Sequence, residues 1–325
     1  MILITGANGL VGSFLCKEFI RRGYTVRALI RKHSDLTLLK EVSDQLEYAE
    51  GDINDIGSVI DAMDGVEYVV HTAAIISFWS KRQSEMFYVN VEGTKNVVDA
   101  ALIKGVKRLL HISSIAAIGR KTGVSAIDER NTWEESALNT AYADTKYQAE
   151  LEIYRGIEEG LNAVIVNPSV ILGPALMGTS TARLFEYVQK QSTYYTEGKM
   201  NYIDVRDVVD AIQYLLLESK RSEERYILNA GMISYKDFFE QIAAALHVAA
   251  PSVKATSWMR GIVWRAEAIK AFFTGKEPLI TKETARNSST HFEYSSDKFF
   301  KEANISFRPL EDTIQWTCKS LFPDK

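Results

Sequence analysis

The chain has 325 residues, of which 46% are hydrophobic and 25% charged, and its formal net charge is −4 at pH 7. This composition is typical of a soluble globular protein, and the mildly acidic balance excludes an electrostatic case for nucleic-acid binding. The two cysteines, Cys16 and Cys318, lack metal-ligand spacing, and no apolar run approaches the roughly 18 residues of a membrane span. We therefore expect a cytoplasmic protein with no metal site and no membrane or nucleic-acid partner, large enough to hold a cofactor and a small-molecule substrate.

A glycine-rich turn follows the first predicted strand. Residues 2–4 are apolar and partly β-branched, and residues 13–20 have helical periodicity. Glycines let the backbone approach a pyrophosphate, and a helix N-terminus supplies free N–H groups, so this strand–turn–helix unit predicts a dinucleotide site. The alternative is an ordinary turn between a strand and a helix. The residues expected to contact the cofactor here are Gly6, Asn8, Gly9, Leu10, Val11 and Gly12.

The second predicted strand, residues 24–30, ends at Arg31. An acid at this position would accept hydrogen bonds from a free ribose 2′-hydroxyl, whereas an arginine accommodates a 2′-phosphate. The first acid after Arg31 is Asp35. The pattern therefore favours NADP(H) over NAD(H), the alternative being a solvated basic loop.

Strands and helices alternate through the rest of the first half. Strands are predicted at residues 46–52, 66–71, 108–114 and 163–167, and helices at residues 55–63, 87–104 and 142–159. Apolar strands separated by helices predict an α/β fold with a doubly wound parallel sheet that is covered on both faces. Ligands of such sheets bind at the carboxyl ends of the strands, where Ala73, Ala74, Ser113 and Ser114 fall.

Tyr142 and Lys146 are the candidate acid–base pair. Four residues apart on a predicted helix, they share one face and are separated by roughly 6 Å along the axis. An ammonium group near a phenol lowers the phenol pKa, which would let Tyr142 exchange a proton with an alcohol or ketone near neutral pH. Only this pair begins a strong helix after a strand-end serine. Two other pairs have the same spacing, namely Tyr195 with Lys199 and Tyr294 with Lys298.

Together these motifs resemble the extended short-chain dehydrogenase/reductases of the NAD-dependent epimerase/dehydratase superfamily. The resemblance covers residues 1 to about 230, where five motifs occur in the family's order. Residues 167–174, with Pro168, Ser169, Gly173 and Pro174, are most similar to the dihydroflavonol-4-reductase and 3β-hydroxysteroid-dehydrogenase branch. The five motifs are residues 5–12, Asp52 with Ile53, residues 71–74, residues 90–94, and Ser114 with Tyr142 and Lys146.

The resemblance implies a Rossmann sheet and a smaller, discontinuous C-terminal substrate lobe. The NADP-binding domain would comprise residues 1–174 and 202–230, and the substrate lobe residues 175–201 and 231–325. Asp52 and Ile53 would contact adenine, and Ala73 and Ala74 the adenine ribose. Pro168 and Val170 would lie beside the nicotinamide.

The resemblance also implies roles for the candidate catalytic residues. Ser114 would hydrogen-bond the substrate carbonyl, with Ser113 in support, and Tyr142 would donate the proton. Lys146 would lower the Tyr142 pKa and hold the nicotinamide ribose, and Asn90 would relay protons through water. Catalysis would be reduction of a small-molecule ketone or aldehyde, or the reverse oxidation of an alcohol.

Two other functions remain open on these residues. A nucleotide-sugar epimerase or dehydratase would use the cofactor transiently, although the Pro168 segment and Arg31 argue against it. A non-catalytic NADP-binding regulator is the third function, and the presence of Ser114, Tyr142 and Lys146 argues against that. We also expect that a homodimer could form through the helices predicted at residues 87–104 and 142–159.

The C-terminal third is less informative. A late strand is predicted at residues 225–229, and a helix at residues 234–248 with Ser234 as its N-cap. Residues 258–273 are aromatic and basic, which fits the core of the lobe, the wall of an apolar substrate pocket or a helix on a membrane surface. We favour core or pocket wall.

Overall fold

A computed structural model describes residues 1–120, 126–136, 139–179, 181–256 and 292–323. The aromatic and basic segment at residues 258–273 lies outside the described residues. The strands in chain order are β1 (Ile2–Thr5), β2 (Val26–Ile30), β3 (Glu47–Glu50), β4 (Tyr68–His71), β5 (Arg108–Ile112), β6 (Ala126–Ile127), β7 (Ala163–Pro168), β8 (Val170–Leu172), β9 (Tyr194–Tyr195), β10 (Lys199–Asp204), β11 (Glu224–Leu228), β12 (Gly231–Ser234), β13 (Val253–Lys254) and β14 (Glu293–Tyr294).

The helices alternate with these strands through the first half of the chain. They are α1 (Leu10–Arg21), α2 (Ile56–Ala62), α3 (Gln83–Phe87), α4 (Gly93–Lys104), α5 (Ala141–Glu158), α6 (Ala182–Gln189), α7 (Val205–Leu217), α8 (Tyr235–Leu246), α9 (Asp297–Glu302) and α10 (Leu310–Leu321). The predicted N-cap at Ser234 is confirmed, because Ser234 accepts a hydrogen bond from Asp237 N at the start of α8. Asp55 caps α2 in the same way by accepting from Gly57 N.

Seven of the strands form a parallel sheet in the order β3-β2-β1-β4-β5-β7-β11. Chain order reverses between β1 and β4, so the carboxyl ends of these two strands flank the switch point at which such sheets bind ligands. In register there, Thr5 of β1 lies beside His71 of β4, and His71 lies beside His111 of β5. The predicted doubly wound parallel sheet is confirmed.

Successive side chains of β1 are buried on opposite faces of the sheet. Ile2 and Ile4 belong to a core with α1 and α7, whereas Leu3 belongs to a second core with α2, α4 and α5. Both faces are therefore covered, because a parallel sheet with apolar residues at every position must pack helices on each side.

A smaller unit adjoins the carboxyl ends of the strands. A three-stranded sheet in the order β12-β10-β8 packs with α6, α8 and α10 around a third core that contains Phe185, Phe238 and Ile314. The strand β10 leads directly into α7, which packs against the central sheet. The division at residues 174, 202 and 230 stays a prediction.

The helix predicted at residues 87–104 differs from the observed one. The segment Tyr88–Glu92 forms a π-helical turn between α3 and α4. Thr94 Oγ1 in the first turn of α4 donates a hydrogen bond to the carbonyl oxygen of Asn90 in this π-helical turn at 2.6 Å. Such turns insert one residue into a helix and often accompany functional sites.

Candidate active site

A cleft of about 1070 Å³ runs along the carboxyl ends of β1, β2, β4, β5 and β7. Its volume is at the upper end of the range of small-molecule and cofactor sites, about 300–1,000 Å³. The predicted site residues that line it are Gly6, Asn8, Gly9, Leu10, Val11, Gly12, Arg31, Asp52, Ile53, Ala73, Ala74, Ser114, Tyr142, Lys146, Pro168 and Val170.

A side chain would not fit at two of the glycines where β1 turns into α1. Gly6 has φ +65°, and a Cβ there would meet the Ala73 nitrogen at 2.7 Å. A Cβ on Gly12 would lie 2.2 Å from the carbonyl oxygen of Gly6. Gly9 is the N-cap of α1 and offers no side-chain acceptor to the first N–H groups of the helix. The result is a backbone cradle with free donors, which fits a pyrophosphate.

Arg31 lines the cleft just beyond β2, and its side chain is exposed. The nearby acid, Asp35, is engaged elsewhere, because its Oδ1 accepts hydrogen bonds from Thr37 N at 2.9 Å and Thr37 Oγ1 at 2.6 Å. These bonds lower the pKa of Asp35. The cleft therefore offers a guanidinium, rather than this carboxylate, at the end of β2.

Asp52 and Ile53 line the cleft where the chain leaves β3. Their backbone is fixed locally, because Asn54 N donates to Asp52 Oδ1 at 2.9 Å and Asn96 Nδ2 donates to Ile53 O at 2.9 Å. Ala73 N donates to Thr5 Oγ1 at 3.3 Å, which ties the segment after β4 to the glycine turn. These residues form a continuous wall with that turn.

Ser114 and Tyr142 meet at the centre of the cleft. The Thr140 side chain caps α5 by accepting from Ala143 N at 3.0 Å, which places Tyr142 in the first turn of the helix. Ser114 Oγ accepts a hydrogen bond from Ala116 N at 3.1 Å, so the serine does cap backbone, and it lies near enough to the Tyr142 side chain to oppose the rise of the phenol pKa. The Phe78 ring meets the Tyr142 ring edge to face, with centroids 6.2 Å apart.

Burial governs the titration of the tyrosine. It raises the pKa of Tyr142 to about 12, and the nearby Ser114 hydroxyl opposes the rise. Lys146 is not among the causes of this shift, so its predicted lowering of the Tyr142 pKa stays a prediction. The phenol is protonated at neutral pH, as it would also be at the ordinary tyrosine pKa.

The Lys146 ammonium contacts the carboxyl end of β5. Its Nζ donates to the carbonyl oxygen of Ile112 at 2.8 Å and lies 3.4 Å from His111 Nε2. The side chain is 2% exposed, and burial lowers its pKa to about 8, although the negative charge of Glu150 opposes the shift. Helical spacing placed both residues on one face but did not reveal which neighbour the ammonium contacts.

The NAD dependent epimerase/dehydratase family model matches residues 2–231. The chain belongs to this family. The match spans the whole central sheet and both Ser114 and Tyr142, so the resemblance stated from the motifs is confirmed.

Similar proteins cover nearly the whole chain. A protein from Synechocystis sp. with the provisional name dihydroflavonol 4-reductase is 30% identical over 96% of this chain and 93% of its own length. Cinnamoyl-CoA reductase 2 of Medicago truncatula is 31% identical over 98% of this chain and 90% of its own. The crystal structure of gox2253 has a TM-score of 0.83 and 34% identity, and covers 99% of this chain and 98% of that one.

Asn90 is the one predicted site residue of this family member that does not line the cleft. It is 1% exposed, and its amide exchanges hydrogen bonds with the Ile75 backbone, accepting from N at 2.7 Å and donating to O at 2.9 Å. Its second amide hydrogen goes to Thr145 Oγ1 at 3.0 Å. The amide of Asn90 therefore clamps the segment after β4 against α5, and the water relay through Asn90 stays a prediction.

A buried polar layer behind the cleft was missed from sequence. His71, His111 and Glu150 are each at most 1% exposed, and Glu150 accepts from Asn167 Nδ2 at 2.5 Å. Burial raises the pKa of Glu150. The signals in the sequence were His71 and His111, which are polar residues inside apolar strands, and Glu150, which follows Lys146 by one helical turn.

Among the residues that the structure describes, no helix is long and apolar enough to cross a membrane. The same residues contain no group of three or more histidine, cysteine, aspartate or glutamate side chains placed to hold a metal ion.

Proposed function

We propose that this family member is an NADP(H)-dependent oxidoreductase that transfers a hydride between nicotinamide C4 and a small-molecule ketone, aldehyde or alcohol. The observation that carries the proposal is the single cleft that joins the glycine turn to Ser114, Tyr142 and Lys146. Two relatives over nearly the full chain bear reductase names, which supports an oxidoreductase.

The residues of the cleft fit a dinucleotide. The glycine turn would bring the pyrophosphate to the N-terminus of α1, where the backbone N–H groups of the first helical turn would hold it. Asp52 and Ala73 would bind the adenosine end. When bound, NADPH supplies the hydride.

Arg31 supports NADP(H) over NAD(H). It is a basic residue that lines the cleft just beyond β2, whereas the nearby Asp35 is not among the residues that line the cleft. A guanidinium matches a phosphate dianion through paired hydrogen bonds, whereas it offers no acceptor to a free hydroxyl.

Three side chains of the protein would act on the substrate carbonyl. Ser114 would donate a hydrogen bond to its oxygen. Tyr142, whose phenol is protonated at neutral pH, would donate the proton as the carbonyl is reduced. Lys146 would supply positive charge close to Tyr142 and stabilise the phenolate that remains.

A screen of aldehydes and ketones tests the proposal. Net oxidation of NADPH with at least one carbonyl compound, and weaker oxidation of NADH, is the expected result. Conversion of a nucleotide sugar without net change in the cofactor would instead support an epimerase or dehydratase. Binding of NADP(H) without turnover of any substrate would support a regulator.

We further propose that the protein forms a homodimer through α4 and α5. Ile103 on α4 is 62% exposed and Leu151 on α5 is 47% exposed, although both are large and apolar. Light scattering should give twice the chain mass, and Ile103→Lys should reduce it to one chain.

A further inference from the structure

Two buried histidines lie side by side at the carboxyl ends of β4 and β5. His71 and His111 are register partners, and their ring centroids are 5.1 Å apart. Burial and the charge of Lys146 lower the pKa of His71 to about 3 and that of His111 well below its ordinary value. Both rings are therefore neutral at pH 7, and each has one donor and one acceptor nitrogen.

His71 is bonded at both nitrogens, and its neighbours determine the tautomer. Thr94 Oγ1 gives its one hydrogen to the Asn90 carbonyl, so it accepts from His71 Nε2–H at 2.9 Å. His71 Nδ1 then accepts from Thr5 Oγ1 at 2.7 Å. This histidine is a satisfied structural residue.

His111 is bonded differently. Its Nε2 lies 3.4 Å from Lys146 Nζ, and an ammonium can only donate, so Nε2 is the acceptor and the ring proton is on Nδ1. That Nδ1 is buried and has no hydrogen-bond partner among the residues that the structure describes. The ring thus leaves a buried donor unsatisfied while it faces the ammonium.

The surroundings of Lys146 make this contact consequential. The ammonium has the Ile112 carbonyl as its other acceptor. The titratable groups around it are His111 and His71 on the strands and Tyr142 and Glu150 on α5, with Arg225 beyond Glu150. Glu150 is already bonded to Asn167, which leaves His111 as the side chain that the ammonium contacts.

We propose that His111 is a positioning residue for Lys146, because its Nε2 accepts a hydrogen bond from the ammonium and holds it at the carboxyl end of β5. The proposal rests on the proposed function, in which Lys146 acts beside Tyr142. The proposal also accounts for the unsatisfied Nδ1–H of His111, because a residue that only filled the core would not have to carry a buried donor. An apolar side chain at this buried position would leave no orphaned donor.

The test is an NMR titration of the Lys146 side chain in the full-length, cofactor-free protein. His111→Leu removes the acceptor from the charged form and should lower the titration midpoint from about 8 by about one unit, the scale of one hydrogen bond to a charged group. His111→Gln keeps an acceptor at a similar position and should restore most of the shift. At alkaline pH, where Lys146 is neutral, the Tm of His111→Leu should equal or exceed that of the wild type.

His71→Leu is the matched control, since it removes a neighbouring histidine that is equally buried and makes no contact with the ammonium. It should lower the Tm, because two threonine hydroxyls lose their partner, and leave the Lys146 midpoint where it is. An unchanged midpoint in His111→Leu, or an equal shift in His111→Gln or His71→Leu, would overturn the proposal. Because no turnover is measured, failure here is distinct from failure to find a carbonyl substrate.

Discussion

Ser114 and Tyr142 line the same cleft, close enough for the serine hydroxyl to favour the ionised form of the phenol, although one comes from just beyond β5 and the other from the first turn of α5. The Ser114 hydroxyl is held by Ala116 N, and Tyr142 is fixed by the cap at Thr140. Both hydroxyls are therefore positioned before any substrate arrives, which is how an enzyme reduces the cost of orienting acid–base groups.

Tyr142→Phe removes the proton donor and keeps the ring. We expect turnover to fall by about 10²-fold or more, the usual scale of general acid–base catalysis, with little change in NADPH affinity. Steady-state kinetics and a fluorescence titration with NADPH measure the two effects. Near-normal turnover would remove Tyr142 from the proposed chemistry.

Arg31→Ala should weaken NADPH selectively. Loss of hydrogen bonds to a charged phosphate corresponds to about 1.5–3 kcal/mol, which raises the KM for NADPH by roughly 10- to 100-fold. The KM for NADH, which has no 2′-phosphate, should change little and serves as the internal control. An equal rise for both cofactors would show that Arg31 does not read the phosphate.

Gly12→Ala should disrupt the glycine turn. The added Cβ would lie 2.2 Å from the Gly6 carbonyl oxygen, so the backbone must move. We expect the free energy of unfolding to fall by about 1–3 kcal/mol or more and cofactor binding to be lost. Gly57→Ala in α2 is the control, because its Cβ finds its nearest neighbour, Asp55 Oδ1, at 3.4 Å. Alanine there should be neutral or stabilise by up to about 1 kcal/mol. Equal unfolding free energies for the two variants would contradict this account of the turn.

Stability should decrease as the pH falls below the ordinary histidine pKa. His71 and His111 have depressed pKa values when folded, so the unfolded chain binds more protons and folding is opposed in acid. Each should contribute a slope of about 1.4 kcal/mol per pH unit well below pH 6.5. Urea titrations over this pH range measure the slope, and His71→Gln should reduce it by about one proton. Equal slopes in the wild type and in His71→Gln would refute the assignment.

The framework of the site could be predicted from the sequence because it is formed by residues that are neighbours in the chain. The glycine turn, its strand and its helix adjoin in sequence, and the α5 cap brings Tyr142 to the cleft without long-range information. The competing pair at Tyr195 begins in the short strand β9, and that at Tyr294 lies in β14, so neither shares one helix. Position in the fold, rather than spacing, distinguished Tyr142.

Other features required the packed structure. The direction of the Lys146 ammonium depends on His111, 35 residues earlier on a different element. The clamp made by Asn90 depends on a π-helical turn, for which 3.6-residue periodicity gives no signal. The separate sheet of β8, β10 and β12 pairs segments that are far apart in the chain.

The most direct test of the central claim is transfer of deuterium to a carbonyl substrate from NADPH that carries deuterium at both hydrogen positions of nicotinamide C4, followed by mass spectrometry of the product. The account predicts one deuterium on the carbinol carbon of the product alcohol, with one NADPH oxidised per product and with loss of the signal in Tyr142→Phe. Unlabelled product, or conversion without net oxidation of NADPH, would contradict it.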